Sequence, residues 1–152
     1  MEKQEAHEKA MLHRAFSIFV FNSQNELLIQ QRAEHKYHSA GLWTNTCCSH
    51  PRPGETTLAA AHRRLQEEMG FDCDLTERFS FIYHTPFENG LCEHELDFVF
   101  TGIFDGVPDI NPDQVQAYRW ISLEDLIAEH NQNPQLFTSW FGIILKEYMG
   151  HL

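Results

Sequence analysis

From Glu55 to Met69 the chain carries neither glycine nor proline, and Gly54 and Gly70 stand immediately outside that stretch. Leu58, Ala61, Leu65 and Met69 recur within it at three- and four-residue steps, which predicts a helix over residues 55–69 with one apolar stripe. A helix of this kind needs a second layer to cover the stripe. Residues 15–21, rich in aromatic and β-branched side chains, meet the polar cluster Asn22, Ser23, Gln24 and Asn25 before Leu27, Leu28 and Ile29, a pattern that predicts a hairpin. Further strands are expected at residues 79–84, 92–104 and 118–121. Ser122, followed by Glu124 and Asp125, is placed to cap a second helix, and Phe141, Ile144, Leu145, Tyr148 and Met149 form one face of a last one. The order strands, helix, strands, helices predicts an α/β (α+β) fold, a mixed sheet flanked by helices, rather than a repeating βα barrel.

The bulk properties narrow the partners. At 152 residues and 17.8 kDa the chain suits one domain, 1–152, with a core of its own. A net charge of -11, from 22 acidic against 11 basic side chains, argues against nucleic-acid and anionic-membrane partners. An anionic small molecule would have to be met locally, by a few basic groups or a metal. No charged-then-apolar leader and no apolar run of bilayer length is present, so a cytoplasmic protein is expected. Of the four cysteines, Cys47 and Cys48 are adjacent and poorly placed to pair, and reduced thiols are expected.

Chemistry-bearing residues gather in three places. Cys47, Cys48 and His50 directly precede the acidic helix; Cys47 reads as a small buried hydrophobe and Cys48 as the reactive thiol. On the helix, Arg63 and Arg64 lie one turn before Glu67 and Glu68, as either a solvated salt-bridged face or part of a site. On the strand from Cys92, period-2 geometry sends Glu93, Glu95, Asp97 and Val99 one way and His94, Leu96, Phe98 and Phe100 the other. The apolar members mark the second face as core, with His94 structural. Glu93 and Glu95, roughly 7 Å apart, then project together from the opposite face, either into solvent or onto a shared cation. His7, His13 and His50 add three imidazoles, and the combined set suits an octahedral Mn²⁺, Mg²⁺ or Fe²⁺, and also Zn²⁺.

Glu55, Arg63, Leu65, Glu67, Glu68, Gly70 and Phe71 fall at the spacing of the Nudix box, a loop-helix-loop that holds a divalent cation against a diphosphate. Ser49 stands where that box has its leading glycine, and Arg64 where hydrolases carry a metal-binding glutamate. The phrases Leu12-His13-Arg14-Ala15-Phe16-Ser17, Asn45-Thr46-Cys47-Cys48-Ser49-His50-Pro51, Glu93-His94-Glu95 and Tyr118-Arg119-Trp120 resemble type I isopentenyl-diphosphate isomerase over nearly the whole chain.

That resemblance implies a Nudix-type mixed β-sheet flanked by helices, and interconversion of isopentenyl and dimethylallyl diphosphate by protonation and deprotonation. It implies Cys48 and Glu95 as the catalytic pair, in an order left open, with Tyr83 assisting and Trp140 facing the reacting carbons. It implies a protein-bound divalent metal, Mn²⁺ or Mg²⁺ with Zn²⁺ or Fe²⁺ as alternatives, on His7, His13, His50, Glu93 and Glu95. Glu68 would carry Mg²⁺ bridged to the diphosphate, met by Lys3, Arg32, Lys36 and Arg64. The resembled family has a short lid-forming segment before its first metal-binding histidine, whereas His7 here follows six residues; a reduced lid, or a chain without its natural start, is the expectation. The partner implied is a small molecule, with no nucleic acid or membrane, and the oligomeric state is not implied. A Nudix pyrophosphohydrolase and a zinc-binding or thiol redox module, with Cys47, Cys48 and His50 on the metal, are the alternatives.

Overall fold

The computed structural model describes residues 13–36, 39–86 and 92–152, and for His13, residues 83–86 and residues 92–94 the backbone alone. Lys3 and His7 therefore lie outside the described residues. The predicted hairpin forms from β1 (His13–Phe21) and β2 (Glu26–Arg32), which meet at Phe21 and Leu27. Its turn is built by Asn22, whose Oδ1 accepts the main-chain N–H groups of Gln24 and Glu26, and by Asn25 at a left-handed φ of 62°. Two short strands follow, β3 (Trp43–Thr44) and β4 (Cys47–Ser49).

The expected helix is α1 (Thr57–Met69). It starts two residues later than the apolar pattern predicts, because the Thr56 hydroxyl takes the cap, accepting the Ala59 N–H at 3.1 Å, and Glu55 is left outside to serve its own partners. Gly70 ends it at φ 73°, donating to Gln66, and a Cβ there would come within 2.3 Å of the Asp109 carbonyl oxygen. β5 (Thr76–Pro86) and β6 (Cys92–Ile103) pair as a long antiparallel ribbon, and β7 (Val115–Ser122) returns to β2. Ser122 caps α2 (Leu123–Gln132) as expected, accepting the Asp125 N–H. The last apolar face is carried by α3 (Ser139–Ile143), which loosens into a π turn over Ile144–Tyr148.

The strand order is β3-β2-β1-β6-β5, with β4 added on β1 and β7 on β2. β1 and β6 run parallel from His13↔Glu95 to Phe21↔Ile103, while the other named pairs are antiparallel, so the sheet is mixed. Alternation along β1 feeds two cores: Phe16, Ile18 and Val20 pack with Leu65 and Met69 of α1, and Phe19 packs with Phe141 and Ile144 on the opposite side. The sheet is thus covered on both faces. The apolar face of β6 is core as expected, with Phe100 2% exposed and Phe98 packed on the same cluster, and the acidic face, left between solvent and a shared cation, is covered as well. Glu95, Asp97 and Val99 are 3%, 4% and 0% exposed, whereas Leu96 and Phe98 on the other face are half-buried. The C-terminal helices supply the cover that a strand pattern cannot reveal. Among the described residues no helix is long and apolar enough to cross a membrane.

Candidate active site

β4 lies beside β1 with Ile18 opposite Cys47 and Ser17 opposite Cys48, so the two adjacent thiols leave the strand on opposite sides. Cys47 enters the α1 core, fully buried, with its sulfur 3.5 Å from Glu68 Oε1, and burial pushes its thiol well up. Cys48 packs against the other core. Burial pushes its thiol up to about 12, against the pull of Arg32, with Glu68 and Asp97 adding to the rise and the Trp140 indole N–H favouring the thiolate. At neutral pH it is a thiol. The loop leading to it is tied down by buried side chains. Asn45 Nδ2 donates to the Ile18 and Cys47 carbonyls, Thr46 Oγ1 accepts the Val20 N–H, and the Thr44 and Thr138 hydroxyls meet at 2.8 Å, joining the loop to the start of α3.

The carboxylates of β6 share the face of Cys48. Ser17 pairs with Cys48 on one side and with Val99 on the other, and its hydroxyl donates to Asp97 Oδ2 at 2.9 Å. Residues 95, 97 and 99 alternate onto that same face. Glu95 meets His50 there, Nε2 to Oε1 at 2.7 Å. In register, Glu95 is flanked by His13 of β1 and Tyr83 of β5, with Glu93 two residues before it on β6. The side chains of His13, Tyr83 and Glu93 lie outside the described residues. Among the described residues no three His, Cys, Asp or Glu side chains gather as metal ligands. The two described members nonetheless bring an imidazole nitrogen and a buried carboxyl oxygen together at 2.7 Å, donor types that suit a divalent cation.

Basic groups converge on the neighbouring end of the sheet. The β2 register slips between Gln31 and Arg32, and the Arg32 guanidinium stands 5.4 Å from the centroid of the Trp140 ring. Burial lowers the Lys36 pKa, with Glu68 opposing and Arg32 and Arg64 adding to the fall, which places these four charges in one neighbourhood. Arg64 reaches Glu67 at 2.7 Å and Glu68 at 2.5 Å. Glu68 is buried and also accepts from Gln30 Nε2 at 3.1 Å. The other half of the predicted charge ladder faces outward, where Arg63 forks onto Glu55 at 2.8 and 2.9 Å. The Arg63 hydrogen bonds hold the Glu55 carboxyl at about 2, well below its ordinary value.

Of the residues expected in the site, Cys48, Trp140, Arg32, Lys36, Arg64 and Glu68 thus form one cluster, and His50 with Glu95 adjoins it on the Cys48 face. Sequence reasoning assigned no role to Ser17, Asp97, Gln30 or Gln114. Asp97 was legible as the third acid of the period-2 face; the other three reach the site from elements whose placement only the fold supplies.

A family model described as the NUDIX domain matches residues 11–141. The fold is also that of a MutT protein from Methanosarcina mazei Go1, with a TM-score of 0.75 at 16% identity over 91% of this chain and 94% of that one. Two curated relatives are much nearer in sequence. The Isopentenyl-diphosphate Delta-isomerase of Pectobacterium atrosepticum is 57% identical over 141 residues, 93% of this chain and 79% of the relative. The Isopentenyl-diphosphate Delta-isomerase 2 of Photorhabdus laumondii is 57% identical over 144 residues, 95% and 81% of the two chains. The chain belongs to the isopentenyl-diphosphate Delta-isomerase family. This isomerase family membership, on a NUDIX fold of mixed sheet and three helices, agrees with what the geometry disfavours. The hydrolase reading lacks an acid at Arg64. The zinc-module reading needs Cys47 and Cys48 on one ion, and they face opposite cores.

Proposed function

We propose that this site interconverts isopentenyl and dimethylallyl diphosphate, an isomerase activity of isoprenoid biosynthesis, with Cys48 and Glu95 moving the proton. The observation that supports these roles is that both side chains stand on one buried face, bounded by Trp140. Protonating an unactivated alkene produces a tertiary carbocation, which demands an acid and a base on either side of a five-carbon unit. Cys48, held as the thiol, and Glu95 form that pair; which one protonates first is left open. The Trp140 ring face stabilises positive charge on the carbon skeleton, and Tyr83, opposite Glu95 in register, assists proton transfer. Burial on this face keeps out water that would quench the cation.

Arg32, Lys36 and Arg64, with Lys3, grip the diphosphate. Glu68 would hold Mg²⁺ with that diphosphate, and His7, His13, His50, Glu93 and Glu95 would hold a second divalent ion, Mn²⁺ or Mg²⁺, with Zn²⁺ and Fe²⁺ suited to the same donors. Bound there, such ions supply positive charge that neutralises the substrate and fixes the Glu95 carboxylate. The net charge of -11 supports a small-molecule substrate over nucleic acid or an anionic membrane surface. The test is incorporation of solvent deuterium into isopentenyl diphosphate in the presence of Mg²⁺. Cys48→Ala and Glu95→Val should each nearly abolish exchange while diphosphate still binds; undiminished exchange in either variant would refute the assigned pair.

A further inference from the structure

Two of the cations assigned above to the diphosphate are tied to a single neutral side chain. Lys36 Nζ donates to Gln114 Oε1, and Arg64 Nη2 donates to the same oxygen at 3.3 Å. Ammonium and guanidinium groups have donors only, so the amide turns its oxygen to them and its NH₂ the other way; no other assignment of the two amide atoms satisfies both cations. Among the described residues that NH₂ donates to none. It lies beside two cations, and among the described residues both of its hydrogens are uncommitted.

The main chain around Gln114 is fixed independently of this contact. Its N–H donates to Asn111 at 2.9 Å, and its carbonyl accepts the N–H of Ala33, the residue after Arg32, at 3.1 Å. Asn111 in turn donates to the Glu68 carbonyl at 2.9 Å. The loop is therefore fastened both to the strand end that carries Arg32 and to the helix end that carries Arg64 and Glu68. A carboxylate in this position would orient the two cations but cancel their charge; an amide orients them and leaves the charge for an anion.

We infer that Gln114 is a further substrate-binding residue, its oxygen setting Lys36 and Arg64 toward the diphosphate and its NH₂ donating to a diphosphate oxygen. The inference rests on the reading of Lys36 and Arg64 as diphosphate contacts. Prior orientation of donors is what lets a binding contact avoid ordering costs when the ligand arrives.

Calorimetric binding of inorganic diphosphate with Mg²⁺, together with steady-state kinetics and thermal unfolding, tests it in the full chain, in Q114L, in R64A and in the double variant. Q114L should weaken diphosphate binding roughly 10-fold, as expected for hydrogen bonds to charged groups, and raise KM in parallel. It should leave kcat within about twofold and the melting temperature unchanged, because the backbone clamp persists. In the double variant the losses should combine to less than their product, since the two side chains share a contact. Should Q114L fail to fold, Q114N, which keeps the amide but withdraws it by one methylene, should show the same loss of affinity. Unaltered affinity in R64A would refute the diphosphate reading itself. Reduced affinity in R64A with unaltered affinity in Q114L or Q114N overturns the role of Gln114, as does a fall in kcat and melting temperature without loss of diphosphate affinity.

Discussion

Trp140 touches the site in two ways, through its ring face beneath the Arg32 guanidinium and through its N–H toward Cys48. The two are separable. Trp140→Phe keeps an aromatic face and should retain most of the turnover, while Trp140→Ala removes it and should lower kcat on the order of 30-fold, the equivalent of a desolvated cation–π contact of about 2 kcal/mol. Steady-state kinetics of the two variants check this; equal losses would assign the effect to the N–H instead. At this scale the sequence was readable wherever alternation decides. Cys47 and Cys48 were assigned to burial and to reactivity from their neighbours, and the strand period puts them on opposite faces. The same period separated Glu95 and Asp97 from Leu96 and Phe98 but left open what covers the acidic face, because alternation sorts side chains without saying what lies over each side. Side-chain hydrogen bonds across the fold, such as that from Lys36 to Gln114, left no local trace.

At the scale of elements, α1 is held by its cap and by the fork between Arg63 and Glu55. Thr56→Ala should cost about 1 kcal/mol in urea unfolding, the usual worth of a lost hydroxyl cap. The Glu55 pair makes stability depend on pH in a definite direction. Its carboxyl titrates near 2 in the folded protein, against an ordinary 4.5, so the unfolded chain binds the extra proton in between. The stabilisation is complete above about pH 4.5 and disappears as the pH falls toward 2. The stability gap between the native chain and Glu55→Gln should therefore be constant at neutral pH and close over that acid window; a gap that persists at pH 2 would contradict the pairing. The helix itself was legible from spacing, with an error of two residues at its start, because Glu55 continues the polar pattern yet is claimed by the Arg52 N–H and the Arg63 side chain. The last helix was legible in its apolar face but not in its winding, since Phe141, Ile144 and Leu145 bury alike whether the turn is α or π.

For the whole molecule, the decisive feature is a sheet with a core on each side, Cys48 and Trp140 packing on one and Arg64 and Glu68 coming from the helix that covers the other. Leu65, fully buried under α1, belongs to the side away from Cys48. Leu65→Ala should remove about 2–5 kcal/mol of stability through the cavity it leaves, read as a lower urea midpoint. KM and kcat should change little at temperatures where the variant remains folded. The fold class was foreseeable from the order of elements and the spacing of the helical frame. The crossover that sets β1 parallel to β6, and thereby brings Ser17 beside Asp97, was not, because strand partners far apart in the chain have no signature in either segment alone.

The opposed directions of the neighbouring sulfurs on β4 also govern how the protein meets an oxidant. A bridge between Cys47 and Cys48 would require one of them to cross the sheet and break the β4 pairing with β1. Peroxide that reaches Cys48 would consequently leave a sulfenic acid that its neighbour Cys47 is not placed to resolve, rather than a vicinal ring that seals the damage within the strand.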